Sequence, residues 1–393
     1  MRVVHVTPYF APAFRYGGPP RSVLGLCKGL QHAGVDVEVL TTVANGPQDL
    51  PASPAEGSRY DGVPVRYVPR GFPWMFFGAR MRKPLASALA SADLLHVHGI
   101  WNAPEWSAAA FAKARQVPYV MSPRGMLHGA AQRHGHVWRK RIAYRLLERS
   151  RLAGADLLHA TSPHEAAVLG QLGLDVPIAV VPNGVDAAAA AATARGGIRA
   201  RLCIPASAFV VLFLGRIHRI KRLDLVADAF ARARAAYGAM HLVLAGTDEQ
   251  GLLADLMRRL EQHGGFVHAV EQFTDEEKWT LLADADALVQ CSDSESFGMA
   301  IAEAMAASVP VVATRTCPWP EIESRGCGFW VEQAAPAIAD ALCALAVDRD
   351  RAAAMGRRGA ALAHERYTWD AIGRAMAGHY ADVVAAGRRH HVA

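Results

Sequence analysis

The feature that constrains this chain most is a set of short, nearly continuous apolar runs. Phe209–Gly215 (FVVLFLG), Met240–Gly246 (MHLVLAG) and Val309–Thr314 (VPVVAT) are each followed by a stretch of helical period. A strand that is apolar at almost every position has no face to give to water. Such strands belong in a parallel sheet covered by helices on both sides. The same alternation predicts strands at Val3–Thr7, Val35–Thr41, Val63–Val68, Asp93–His98, Val117–Ser122, Asp156–Thr161 and Ile178–Pro182 in the first half. Phe266–Val270 and Asp286–Cys291 complete the second. The expected fold class is therefore α/β, with two Rossmann-like, doubly wound domains facing across a cleft and ligand gathering at the strand C-termini.

A chain of 393 residues is too long for one ordinary core of about 100–200 residues, which agrees with two domains. The Ala-rich, then Gly-broken stretch Ala187–Gly197 predicts a hinge between about 185 and 207. The expected division is a first domain at 1–190, a second at 200–370, and a closing helix at 371–393 that packs back on the first. Small molecules favour clefts between domains.

Composition removes several classes. At 52% hydrophobic the chain is not disordered, and its net charge of +6 suits phosphorylated ligands or an anionic membrane better than nucleic acid. The six cysteines form no CxxC pair and no zinc spacing, so a reducing compartment and no metal site are expected. The opening MRVVHVTPYF lacks the plan of a signal peptide, and no apolar run approaches the ~18–20 residues of a membrane span. A cytoplasmic location follows, peripheral on the inner face of the plasma membrane at most. No G-x-G-x-x-G follows a strand and no P-loop occurs, so neither hydride nor P-loop phosphoryl transfer is supported, and no cofactor is expected.

Arg216 and Lys221, in GRIHRIKRLD, lie just past the strand Phe209–Gly215. Two cations at a strand end suit a diphosphate, although a solvated basic loop has the same pattern. The segment Ser292–Thr314 (SDSESFGMAIAEAMAASVPVVAT) predicts a helix over Phe297–Ala307, capped by Ser294 or Ser296. Gly298 lets a ligand approach, and the free N–H groups around Phe297, Gly298 and Met299 form an anion site. Glu295 and Glu303 are too far apart for one carboxylate dyad. Each suits hydroxyls on a different part of an elongated ligand, or else a cap and a buried paired carboxylate.

Together FLGRIHRIK, ESFGMAIAE with its E-x7-E spacing, VPVVAT, YGGPPRSV, DLLHVHGIW, SPRGML and VPNGVD resemble the retaining GT-B glycosyltransferases of family 4, and they span nearly the whole chain. The resemblance implies a hexosyltransferase using a nucleotide-diphosphate sugar, UDP- or GDP-linked. The acceptor would be a free or lipid-linked glycan, in bacterial exopolysaccharide or lipopolysaccharide biosynthesis. It implies that Arg216 and Lys221 hold the donor diphosphate, that Glu295 contacts the donor sugar, and that Glu303 bonds the ribose. Gly18 would lie in a glycine loop close to the donor phosphate and acceptor. Retention also follows only from the resemblance. With no clear nucleophile beside the donor, same-face attack guided by the leaving phosphate is the expected route. No D-x-D ends a strand; Asp284-Ala285-Asp286 begins one, so metal-independent stabilisation of the leaving group is expected. A nucleotide-sugar epimerase is the rival enzyme, and a nucleotide-sugar-binding regulator the non-enzymatic alternative.

In the first domain His96 and His98 end a strand and are expected on opposite faces, with His98 reaching the cleft. Trp101, Asn102 and Glu105 follow and are candidates for the acceptor pocket. Where many members of the resembled family carry a histidine close to the donor sugar, this chain has Arg124, in Ser122-Pro123-Arg124-Gly125. An arginine there cannot act as a base; it is expected to face the cleft and stabilise charge on the leaving group.

Gly71–Lys83 combines aromatics with Arg80, Arg82 and Lys83, and Arg141, Arg145 and Arg149 recur at four-residue spacing. This pattern suits an anionic membrane surface, as well as an ordinary solvated helix face. The expected outcome is co-sedimentation with anionic vesicles that weakens when Arg141, Arg145 and Arg149 are neutralised; binding insensitive to that change removes the membrane reading.

Overall fold

A computed structural model describes residues 1–50, 58–70, 79–127 and 144–392. Most of the aromatic stretch 71–83 and of the basic segment, Arg141 included, lies outside the described residues. The chain divides into two compact units, Met1–Gly184 with Trp369–Ala393, and Val185–Thr368.

The first unit holds an eight-stranded sheet. Its strands are β1 (Arg2–Val6), β2 (Asp36–Thr42), β5 (Arg59–Tyr60), β6 (Val63–Val68), β7 (Leu94–His98), β8 (Tyr119–Ser122), β9 (Leu157–Ala160) and β10 (Ile178–Val180). A two-residue hairpin, β3 (Ala44–Asn45) and β4 (Gln48–Asp49), stands apart. The order is β10-β9-β8-β7-β1-β2-β6-β5, parallel except for the edge pair β5–β6. The chain reverses direction across the sheet between β1 and β7, the switch point where open α/β sheets take ligands.

The second unit carries β11 (Phe209–Leu214), β12 (Met240–Ala245), β13 (Val267–Val270), β14 (Ala287–Gln290), β15 (Val311–Thr314) and β16 (Gly328–Val331). All are parallel, in the order β13-β12-β11-β14-β15-β16, with the switch point between β11 and β14. β11 is buried at every residue, as its composition requires. β16 was not among the expected strands. It is short, half-buried and starts at Gly328, where a Cβ would sit 1.9 Å from the Val311 carbonyl oxygen.

Local signals set several helix ends. Thr274 and Glu277 form a reciprocal capping box at the start of Asp275–Asp284, with bonds of 3.1 and 2.9 Å. Ser162 accepts from the Glu165 amide ahead of Pro163–Gly170. The expected hinge is not a linker. Ala187–Ala192 and Gly197–Arg201 are helices whose Ala190 and Ile198 join the second unit's core. Asp284 accepts from the amides of Gly196, Ile198 and Arg199, which ties the Gly-broken stretch down. The boundary thus falls at Gly184, not near 190. Asp286 meets Arg195, Arg199 and the Val210 amide, so the Asp284/Asp286 pair serves the N-terminal edge of this sheet.

The closing helix begins at Trp369, slightly earlier than expected, and runs to Val392 within the first unit. Its partner is the helix Gly18–His32, whose Gly25 and Gly29 leave room for Trp369 and the backbone of Gly373. A Cβ on Gly29 would stand 2.1 Å from the Trp369 carbonyl oxygen. Among the described residues no helix is long and apolar enough to cross a membrane. Gly29→Ala is expected to destabilise the first unit by about 1–3 kcal/mol through overpacking, read as a lower urea midpoint; an unchanged midpoint would contradict this packing.

Candidate active site

In the second unit the chain leaves β11 at Gly215 and β14 at Gln290, on either side of the switch point, so the two following loops meet. Lys221 lies 2.5 Å from Glu295 (Nζ to Oε1), and Ser292 Oγ and Gln290 Nε2 donate to the same oxygen at 2.7 and 2.8 Å. Burial alone would raise the Glu295 carboxyl, but the Lys221 ammonium and these hydrogen bonds outweigh it and hold the pKa below its usual value. Glu295 is therefore ionised and fixed. Arg216 stands at the same edge but turns to Glu249, with Nη1 2.9 Å from Oε2.

The helix after β14 is shorter than expected, Met299–Ala306. Neither Ser294 nor Ser296 caps it; the N-cap is Gly298 at φ 93°, with no side-chain cap bond. A Cβ there would press on the Trp319 indole nitrogen at 3.1 Å. Phe297 is core, packed between the Trp319 and Tyr367 rings, and its carbonyl accepts from the Trp319 indole N–H. Only the backbone at Phe297–Met299 is suited to an anion. Glu303 is buried and paired with Lys278, Nζ to Oε1 2.7 Å, on the helix Asp275–Asp284. Lys278, Gln290 and Ser292 were not singled out in the sequence. The four-residue spacing from Thr274 to Lys278 carries no hint of a partner 25 residues away.

In the first unit the switch point lies between the ends of β1 and β7. Gly18 opens the helix Gly18–His32, and the left-handed residue of the glycine pair is Gly17, at φ 79°. His96 and His98 do not point to opposite faces: residues two apart on a strand share a face. Their ring centroids are 4.0 Å apart, and His5 from β1 joins them, its Nδ1 2.8 Å from His98 Nε2. His98 is buried and contacts Arg124, whose Nε and Nη2 lie 3.2 and 3.0 Å from its Nδ1. Arg124 turns inward along the strand ends rather than to bulk solvent, with Nη1 on Ser22 Oγ at 2.9 Å and on Asn183 Oδ1 at 3.2 Å.

These contacts settle the proton positions. An arginine only donates, so His98 Nδ1 accepts and its Nε2–H donates to His5. On the other side Tyr380 lies 2.5 Å from His96 Nδ1, His96 Nε2 faces His159 Nδ1 at 3.4 Å, and His159 Nε2 reaches the Val181 carbonyl at 2.8 Å. Burial keeps His5, His96, His98 and His159 neutral by lowering their pKa values. His5, His96 and His98 are the one described group with the proximity of metal ligands. The Arg124 cation on His98 opposes a second cation there. His98 has both nitrogens engaged, so it positions Arg124 and is not a free base.

Trp101, Asn102 and Glu105 lie beyond β7. Trp101 has φ 79° and its amide donates to Glu148, which also takes the Trp106 indole N–H at 2.6 Å. Glu148 is thus buried rather than part of a solvated basic face. Asn102 Nδ2 donates to Glu105 Oε1 at 3.0 Å, while Glu105 Oε2 is buried without a partner. Burial pushes the Glu105 carboxyl up to about 8, against an opposing hydrogen bond from Asn102. The folded state then holds a proton that the unfolded chain has released. Stability should fall by up to about 1.4 kcal/mol per pH unit from roughly pH 5 to 8 at this group. Glu105→Gln is expected to flatten that slope in urea titrations at several pH values; an unchanged slope would refute it.

Two family models span the chain: the glycosyl transferase 4-like domain matches residues 17–184 and glycosyl transferases group 1 matches residues 196–361. A D-inositol 3-phosphate glycosyltransferase of Kineococcus radiotolerans is 30% identical over 95% of this chain and 92% of its own. A GDP-mannose:cellobiosyl-diphosphopolyprenol alpha-mannosyltransferase of Komagataeibacter xylinus is 28% identical over 98% and 94%. Among solved structures, Anabaena Alr3699/HepE in complex with UDP and glucose is similar in fold, with a TM-score of 0.75 and 19% identity over 97% of this chain and 100% of that one. Sucrose-phosphate synthase from Thermosynechococcus elongatus has the same TM-score at 21% identity, covering 98% and 99%.

Proposed function

Because the chain belongs to the family 4-type glycosyltransferases of GT-B fold, we propose that it moves a hexose, with retention, from a UDP- or GDP-sugar to a phosphate-bearing sugar or lipid-linked glycan in bacterial exopolysaccharide or lipopolysaccharide assembly. The observation that carries this reading is the meeting of Lys221 and Glu295 at the switch point of the six-stranded sheet. A phosphate-bearing acceptor is supported by the two relatives above, whose names both specify one.

Departure of the nucleotide places negative charge on the β-phosphate. Lys221, Arg216 and the amides at the start of Met299–Ala306 supply positive charge for it without a metal ion. Lys221 is shared with Glu295, so a diphosphate competes for its ammonium and frees carboxylate capacity for sugar hydroxyls. Glu295 Oε1 carries three donors, which suits it to hold hydroxyls rather than attack carbon. Same-face attack guided by the leaving phosphate is the retention route consistent with that. Glu303 takes the ribose through its second oxygen, and any association with an anionic membrane rests on the basic first unit.

Arg216→Ala and Lys221→Met should each slow transfer roughly 10- to 100-fold, since each removes a charge-assisted hydrogen bond worth about 1.5–3 kcal/mol. The assay is nucleotide release from a panel of UDP- and GDP-sugars with acceptor present, repeated in EDTA. Undiminished rates in both variants would defeat the site, and inhibition by EDTA would defeat the metal-free step.

A further inference from the structure

The side chains of Arg199 and Arg70 are buried against carboxylates: Arg199 pairs with Asp286 at 2.7 Å, and Arg70 with Asp49. Arg124 is not so paired. Its hydrogen-bond partners are His98 Nδ1, Ser22 Oγ and Asn183 Oδ1, all neutral acceptors, and no ion pair joins it to a described carboxylate. Glu165, the acidic group whose field it feels most, is spent on the Gly125 amide at 2.5 Å and on the Thr161 amide and hydroxyl at 2.8 and 2.7 Å. Desolvation brings the guanidinium down to about 10, still charged at neutral pH. Drawing a cation partly out of water without a contacting counter-ion carries a cost, which a bound anion would offset.

The surroundings hold the fork still rather than neutralise it. Neutral His98, its tautomer set by the donating Arg124 and its Nε2–H taken by His5, offers one lone pair to two guanidinium N–H groups. Ser22 belongs to the first turns of the helix Gly18–His32, and Asn183 follows the last strand of the sheet. Of the five N–H groups of the fork, four are used in these contacts and one Nη2–H is left over. Arg124 itself is only partly buried. It adopts φ 51°, the left-handed region, and its guanidinium meets His98 at the end of β7.

We propose that Arg124 is the cationic half of an oxyanion-binding site on the first unit, completed by a phosphate or carboxylate oxygen of the acceptor. This rests on the glycosyl transfer proposed above and on the expectation that the acceptor pocket lies in the first domain, near Trp101, Asn102 and Glu105. His98, His5, Ser22 and Asn183 are positioning residues for it. No bond is made or broken at this site.

The test uses the full chain and isothermal titration with inorganic phosphate, glucose 1-phosphate, glucuronate and glucose, with UDP titrated separately. The wild type should bind glucose 1-phosphate or glucuronate more tightly than glucose. Arg124→Gln should weaken that binding about 10- to 100-fold while UDP affinity stays within about twofold. Arg124→Lys, which keeps charge but loses the fork, should lose about three- to tenfold, and it decides the matter alone if Arg124→Gln does not fold. Phosphate and glucuronate arms distinguish the two sources of the anion. Equal oxyanion binding in wild type and variants, no oxyanion binding in the wild type, or an effect confined to UDP each overturns the proposal. The nucleotide-sugar reading fails separately, if the wild type does not bind UDP or GDP.

Discussion

In each unit nearly every strand runs in the same direction, and that one constraint decides where chemistry collects. Parallel strands need helical crossovers, so all their C-terminal ends open on one edge and all their N-terminal ends on the other. Lys221 and Glu295 are 74 residues apart in sequence, yet they occupy loops leaving β11 and β14, which are hydrogen-bonded neighbours. His5 and His98 are brought together the same way by β1 and β7. The acidic pair at Asp284 and Asp286 lies at the opposite edge and holds helix starts and arginines instead.

Charge management at the two active edges differs. At the strand ends of the second unit two buried charges of each sign are paired: Lys221 with Glu295, and Lys278 with Glu303. Such pairs add little net stability but are costly to break singly, so they hold the Glu295 and Glu303 side chains oriented. In the first unit a cation is surrounded by neutral histidine, serine and asparagine acceptors. A histidine in that shell stays neutral because it is desolvated and lies beside an arginine, and its lone pair is then available to that arginine.

Much of the fold was legible because the relevant signals are local. The apolar runs of β11, β12 and β15 needed two covered faces, whereas the start of the helix after β14 was misplaced, because its cap is the backbone of Gly298 and not a serine side chain. β16 was missed because its GFWV is only half-buried and its glycine is there for a backbone approach, not a turn. The Ala-rich stretch after Asp186 read as a linker since alanine packs as readily as it spaces; only Asp284 and the core contacts of Ala190 and Ile198 make it part of the second unit.

From the order of its residues alone the chain determined two parallel α/β units, the loops that end their strands, and a family membership carried by ESFGMAIAE, SPRGML and VPNGVD. Periodicity and short motifs encode these because they depend on neighbours a few positions away. Pairings across long separations were decided only by tertiary structure: Lys278 with Glu303, Tyr380 with His96, and Arg124 with Ser22 and Asn183. A side chain's partner depends on which strand ends and helices the topology makes adjacent. Its charge state depends on the water that packing has removed.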